Sequence, residues 1–115
     1  MDKLINSSFT TLRWLKKIRS EIEEKAPSLR YKETKYYAPF WSPGKNKNIA
    51  QLNPQRSQIR VFLRLDPSYD LQLQPTPSTF GYAESYPSLF SIRDESMIGK
   101  AIELIISSCE NTHCR

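Results

Sequence analysis

Arg60, Phe62 and Arg64 alternate along one short segment, an order that suits nucleic-acid chemistry. On an extended strand, side chains two apart share a face. A ring between two guanidinium groups is a platform on which a base stacks while the cations hold its phosphates. A second basic-aromatic run lies upstream, where Arg30-Tyr31-Lys32 and Lys35-Tyr36-Tyr37 interleave cations and rings. Arg60, Phe62, Arg64, Lys32, Lys35 and Tyr37 are therefore the candidate nucleic-acid-binding residues. A plainer reading stands beside this one. Tyrosine favours strands and arginine suits a wet sheet face; on that reading Phe62 packs under Phe40, Trp41 or a proline-rich loop. The stretch from Tyr36 to Trp41 has two further readings, an aromatic-lined groove for a small ligand or peptide, or part of a core.

Catalytic chemistry finds few residues to use. The one histidine, His113, lies near the C-terminal end, so no histidine-dependent triad is expected in the body of the chain. Glycines stand only at 44, 81 and 99, which gives neither a phosphate-binding loop nor a dinucleotide fingerprint. Cys109, His113 and Cys114 have a zinc-like spacing but no fourth partner of that kind, and a closed zinc site wants four ligands. They are expected to be a buried structural thiol and a loose tail, with no metal and no cofactor. Glu33-Thr34-Lys35 has the E-x-K spacing of metal-dependent restriction enzymes. A two-metal site needs several converging carboxylates; Asp66 and Asp70 have no lysine near them in sequence and read as solvated turn acids.

Charge is distributed unevenly over the 115 residues, whose net charge is +5. Residues 31–65 hold seven Lys and Arg against Glu33 alone, a net +6, whereas residues 66–115 come to −4. Such a dipolar field attracts a polyanion or an acidic protein without choosing between them. No apolar run approaches the roughly 20 residues that span a bilayer, so no membrane association is expected. The N-terminal residues lack the pattern of a signal peptide. Two cysteines close together near one end staple nothing, so reduced thiols and a cytoplasmic location are expected.

The elements that must position these residues follow from periodicity. Leu12, Leu15, Ile18 and Ile22, widened by Trp14, predict a helix from about Thr10 to Lys25, capped by Ser8 or Thr10 and ended by Pro27. Tyr31 to Phe40 reads as extended, and Asn48 to Leu52 as a short strand. Gln58 to Leu65 is the best strand, with Ile59, Val61, Leu63 and Leu65 on one face and Arg60, Phe62 and Arg64 on the other. Leu71 and Leu73 suggest a brief edge strand, and Thr79 to Tyr82 and Ser88 to Ile92 further strands. A closing helix is expected from about Glu95 to Cys109 behind an Asp94 cap, with Ile98, Ala101, Ile102, Ile105 and Cys109 buried. The sum is one α+β domain over residues 1–115. It is a two-layer sandwich with the N- and C-terminal helices packed on one face of an antiparallel sheet.

Residues 48–67, with the Pro54-Gln55-Arg56 turn between two apolar strands, resemble the central segment of a family of small domains of unknown function, labelled "predicted transport protein" in some genomes. Phe80-Gly81-Tyr82 resembles that family's glycine-aromatic element. Residues 91–105 resemble its terminal strand, acidic cap and apolar helix. The resemblance implies an accessory module, since relatives occur alone or fused behind restriction-type nuclease domains, and it brings no active residues to transfer. The helix–sheet–helix plan is also similar to frataxin-like and YjbR-like sandwiches, an analogy of fold alone. The expected function is a non-catalytic binding module that takes nucleic acid or another polyanion on an open sheet face. The alternative is a protein-interaction module, a homodimer or accessory subunit, using the same exposed aromatics.

Overall fold

Ser8 starts the first helix by a reciprocal exchange with Thr11. The Ser8 hydroxyl accepts from the Thr11 N–H at 3.1 Å, and the Ser8 N–H donates to Thr11 Oγ1 at 2.9 Å, which satisfies two donors that a helix start otherwise leaves open. The computed structural model describes residues 3–81 and 83–112. Helix α1 spans Phe9–Lys25 and ends at Ala26, one residue before Pro27. Thr11, Trp14, Leu15, Ile18 and Ile22 form its buried arc. Leu12, expected within that arc, is instead 42% exposed. At 3.6 residues per turn it stands about 100° round from Thr11, which places it on the flank of the helix.

Six strands form one antiparallel sheet: β1 Arg30–Tyr31, β2 Ala38–Ser42, β3 Lys47–Pro54, β4 Ile59–Leu63, β5 Gln74–Pro75 and β6 Ser88–Ile92. Their order is β1-β2-β3-β4-β6-β5, so β6 inserts between β4 and the edge strand β5. The segment read as a single extended run from Tyr31 to Phe40 is a hairpin. Thr34 makes its turn, donating its N–H to Tyr37 O at 2.8 Å while its hydroxyl accepts from Tyr37 N at 3.1 Å. Thr79 to Phe80 is a turn and not a strand, with Phe80 N bonded to Pro77 O; Tyr82 lies outside the described residues. The expected edge strand forms just beyond Leu73, as β5.

A bulge in β3 sets the faces of the first hairpins. Phe40 pairs with Ala50 but Trp41 pairs with Asn48, which leaves Ile49 as the extra residue. Ile49 and Ala50 both enter the core. Asn48 thereby joins Trp41 on the opposite face, where its polar side chain is not forced among apolar ones.

After β6, Asp94 caps a 3-10 turn at Glu95–Met97, and helix α2 follows at Ile98–Asn111. Ser108 on α2 is fully buried and fully used. Its hydroxyl donates to Ile49 O at 2.8 Å and accepts from Arg64 N at 3.0 Å, tying the helix to β3 and to the end of β4. Both helices cover one sheet face. Ile59, Val61, Leu63 and Leu65 lie in one cluster with Leu15, Ile18, Ile22, Ile98, Ile102 and Ile105, the phase expected of β4. The architecture is the expected α+β arrangement. Among the described residues, no helix is long and apolar enough to cross a membrane.

Candidate nucleic-acid interface

The outer face of the sheet, away from the helices, divides into two halves. Over β4 and β6 it is covered. Phe62 is completely buried and packs with Tyr86, Leu89 and Phe80, where the 66–87 connection folds back across the sheet. The Phe62 and Phe80 rings meet edge-on, 6.1 Å apart. Phe62 therefore offers no face to a base, which corrects the expectation of a stacking ring between two arginines. An aromatic here joins the second small core because the connection carries its own aromatics to meet it.

The two arginines of that alternation take different roles. Arg64 is a latch: its guanidinium lies 5.1 Å above the Tyr86 ring and donates to Asn48 O and, at 3.3 Å, to Ser85 O. It joins β3 to the covering connection. Burial pushes the Tyr86 phenol up, and the neighbouring Arg64 charge and Asn48 side chain pull it back in part. Arg60 stands on the β6 side of the cover, 6.0 Å from the Phe80 ring, beside a shallow depression of about 160 Å³ that also holds Arg93.

Over β1, β2 and β3 the outer face is open. Strand alternation places Arg30 and Lys32 opposite Trp41 and Pro39, with Arg30 paired to Trp41 and Lys32 N donating to Pro39 O at 3.2 Å. Pro39 in turn pairs with Gln51 and Trp41 with Asn48. These residues, with Tyr31, Thr34 and Tyr37, line a groove of about 800 Å³. Trp41 is 37% exposed, and Tyr36 meets Tyr37 edge-on at 6.3 Å. Lys35 sits at the exposed tip of the turn, its ammonium 5.5 Å from the Tyr36 ring.

Among the described residues no acidic side chain lines this groove. The nearest acid in sequence, Glu33, lies beyond the opposite face and accepts from the Tyr31 hydroxyl at 2.6 Å. Burial chiefly, and that bond to Glu33, keep the Tyr31 phenol protonated far above its ordinary range. Among the described residues neither Arg30 nor Lys32 has an acidic partner within 4.0 Å. Positive charge and aromatic surface thus meet without internal neutralisation.

Of the six residues expected to bind nucleic acid, Lys32 and Tyr37 line the groove, and Lys35 is exposed in the hairpin turn between the lining residues Thr34 and Tyr37. Arg60, Phe62 and Arg64 belong to the covered half. Arg30, Trp41, Pro39, Gln51 and Asn48 complete the groove. Arg30 stood in the first basic-aromatic run and Trp41 in the Tyr36–Trp41 stretch read as a ligand or peptide groove or part of a core; the missing signal was the hairpin that folds one stretch against the other. Cys109 is half-buried at the end of α2, and its possible metal partners His113 and Cys114 lie outside the described residues. Among the described residues no group of three or more His, Cys, Asp or Glu could hold a metal ion. No protein-family model, curated protein or solved structure matches the chain, so the resemblance to the small-domain family rests on its motifs alone.

Proposed function

We propose that this domain is a binding module that holds a single-stranded nucleic acid on the open half of its outer sheet face. The observation that carries this reading is the juxtaposition of Arg30, Lys32, Tyr37 and Trp41 around one groove, in which no acid stands among the described residues. Trp41 and Tyr37 supply surfaces on which bases stack, and stacking tolerates any sequence because every base has a π face. Arg30, Lys32 and Lys35 supply phosphate partners along the β1–β2 hairpin. The basic middle of the chain steers a polyanion toward this side. A nucleic-acid partner also suits the cytoplasmic location expected from the cysteines.

The intrinsic fluorescence of the protein tests the reading directly. Trp14 is buried among core residues and Trp41 is exposed, so a bound base reports through Trp41. Titration with oligothymidylate or oligouridylate is expected to quench this signal, and Trp41→Ala is expected to remove the response. Quenching that survives in the Trp41→Ala protein contradicts the site.

A further inference from the structure

The flank of α1 that leaves the core is not polar throughout. Phe9, Leu12, Lys16 and Arg19 fall together on it, given 3.6 residues per turn. Phe9 is 81% exposed. Between this flank and β1 runs a groove of about 480 Å³, apolar at Phe9, Leu12 and Tyr31 and basic at Arg13, Lys16 and Arg19. Arg13 and Arg19 have solvent-exposed acidic partners, Glu95 at 3.9 Å and Glu23 at 3.1 Å, and such pairs hold little energy; Arg19 also lies 4.5 Å above the Tyr31 ring and covers part of it. Lys16 has no acidic partner among the described residues. The one acid in the lining among the described residues, Glu33, is engaged by Tyr31.

The same groove runs beside an open strand edge. β1 is the terminal strand of the sheet. Arg30 and Lys32 face β2, so antiparallel alternation turns the backbone groups of Tyr31 and Glu33 outward. An edge of this kind is a template for another strand. Leu4 N bonded to Thr34 O closes it at one end.

We propose that this edge takes up an acidic, extended segment of a partner protein as a seventh strand. Its apolar side chains enter the α1 groove, and the acids that alternate with them lie on the outer face near Arg30 and Lys32, while Arg13, Lys16 and Arg19 attract the acidic segment to this edge. A second copy of this chain fits poorly. Antiparallel pairing of two β1 strands about Tyr31 sets Arg30 against Lys32, and like charges opposite one another destabilise a pair. The proposal shares Arg30 and Lys32 with the nucleic-acid reading but not Trp41 or Tyr37, and its apolar contacts lie on the helix side of the sheet.

A fluorescein-labelled heptapeptide alternating Asp and Leu tests it by anisotropy. Binding is expected, and Leu12→Glu is expected to weaken it by about tenfold or more, since it sets a charge against the peptide's leucines in the groove. Phe9→Ser, at a more exposed position, is the second variant if Leu12→Glu disturbs folding. Methylating the peptide amides of one alternate register is expected to abolish binding and methylating the other to spare it, because only one set faces β1. Equal loss for both registers, undiminished binding to both variants, or no binding near about 50 mM salt overturns the proposal. So does a salt-resistant dimer that Leu12→Glu dissociates, which assigns the edge to a second copy. Trp41→Ala is expected to leave peptide binding intact, so this proposal and the nucleic-acid reading fail separately.

Discussion

Replacing Phe62 by alanine separates a covered sheet from an open one. The side chain is fully buried on the outer face against Tyr86, Leu89 and Phe80. Truncating a buried Phe to Ala costs about 3–5 kcal/mol, the spread reflecting how far the site collapses. A connection that closes over the gap would bring the value toward the low end, and the Arg64 latch onto Ser85 and Tyr86 resists such closure. A chain of 115 residues has an unfolding entropy of roughly 0.24 kcal/mol/K. The loss therefore corresponds to a fall in Tm of about 12–20 °C. Thermal and urea unfolding followed by circular dichroism measure it, with oligonucleotide affinity determined well below the transition. The expected result is a large loss of stability with affinity nearly unchanged. A fall of less than about 4 °C, near 1 kcal/mol, combined with weaker oligonucleotide binding, would falsify the covered arrangement and restore Phe62 to an open face.

Two further outcomes follow from local geometry. Ser8→Ala removes the acceptor for Thr11 N and a 2.7 Å bond to Arg56 O, and is expected to cost about 1 kcal/mol; unchanged urea unfolding would show that the cap contributes nothing. Asp70 is the partner of Lys100 at 2.6 Å. The Lys100 hydrogen bond first, and the Gln72 N–H second, hold its carboxyl below the usual range, while the Asp70 bond holds Lys100 above its own. The Asp70 contribution is thus present above the unfolded value near about 3.9 and is lost as pH falls through the lower folded value. The Lys100 contribution is present below about 10.4 and fades as pH rises through the higher folded value. Asp70→Asn is expected to lower Tm at pH 7 and to flatten its decline on the acid side; parallel acid profiles for the two proteins would contradict the pairing.

Period and caps carried much of the fold. Ile59, Val61, Leu63 and Leu65 alternate cleanly, and their burial against both helices follows from strand geometry alone. Ser8 caps α1 as expected, whereas Asp94 caps the 3-10 turn that leads into α2 and not the helix itself, whose N-cap, Met97, makes no side-chain cap. Leu12 misled because periodicity fixes which residues share a helical side, not how wide the covered arc is; α1 leaves its β1-side flank open to solvent. The candidate site was harder to read. Thr34 turns the first hairpin with a hydroxyl, without glycine or proline at the corner, so nothing in the stretch from Tyr31 to Phe40 signals that it folds on itself. The 66–87 connection has prolines that mark it as a loop, but composition does not say which sheet face a loop covers. That single placement decides that Phe62 is core and Trp41 is surface.

The salt dependence of oligonucleotide binding tests the central claim most directly. Three phosphate partners, Arg30, Lys32 and Lys35, predict a slope of log affinity against log salt of about −2, from roughly −0.7 per contact on a single strand. Arg30→Ala with Lys32→Ala is expected to reduce that slope to about −0.7. Trp41→Ala is expected to cost about 1–3 kcal/mol of affinity at an unchanged slope, and Arg60→Ala to alter neither quantity appreciably. A slope that survives the double substitution, or one that Arg60→Ala flattens instead, contradicts the placement of nucleic acid on the β1–β3 face.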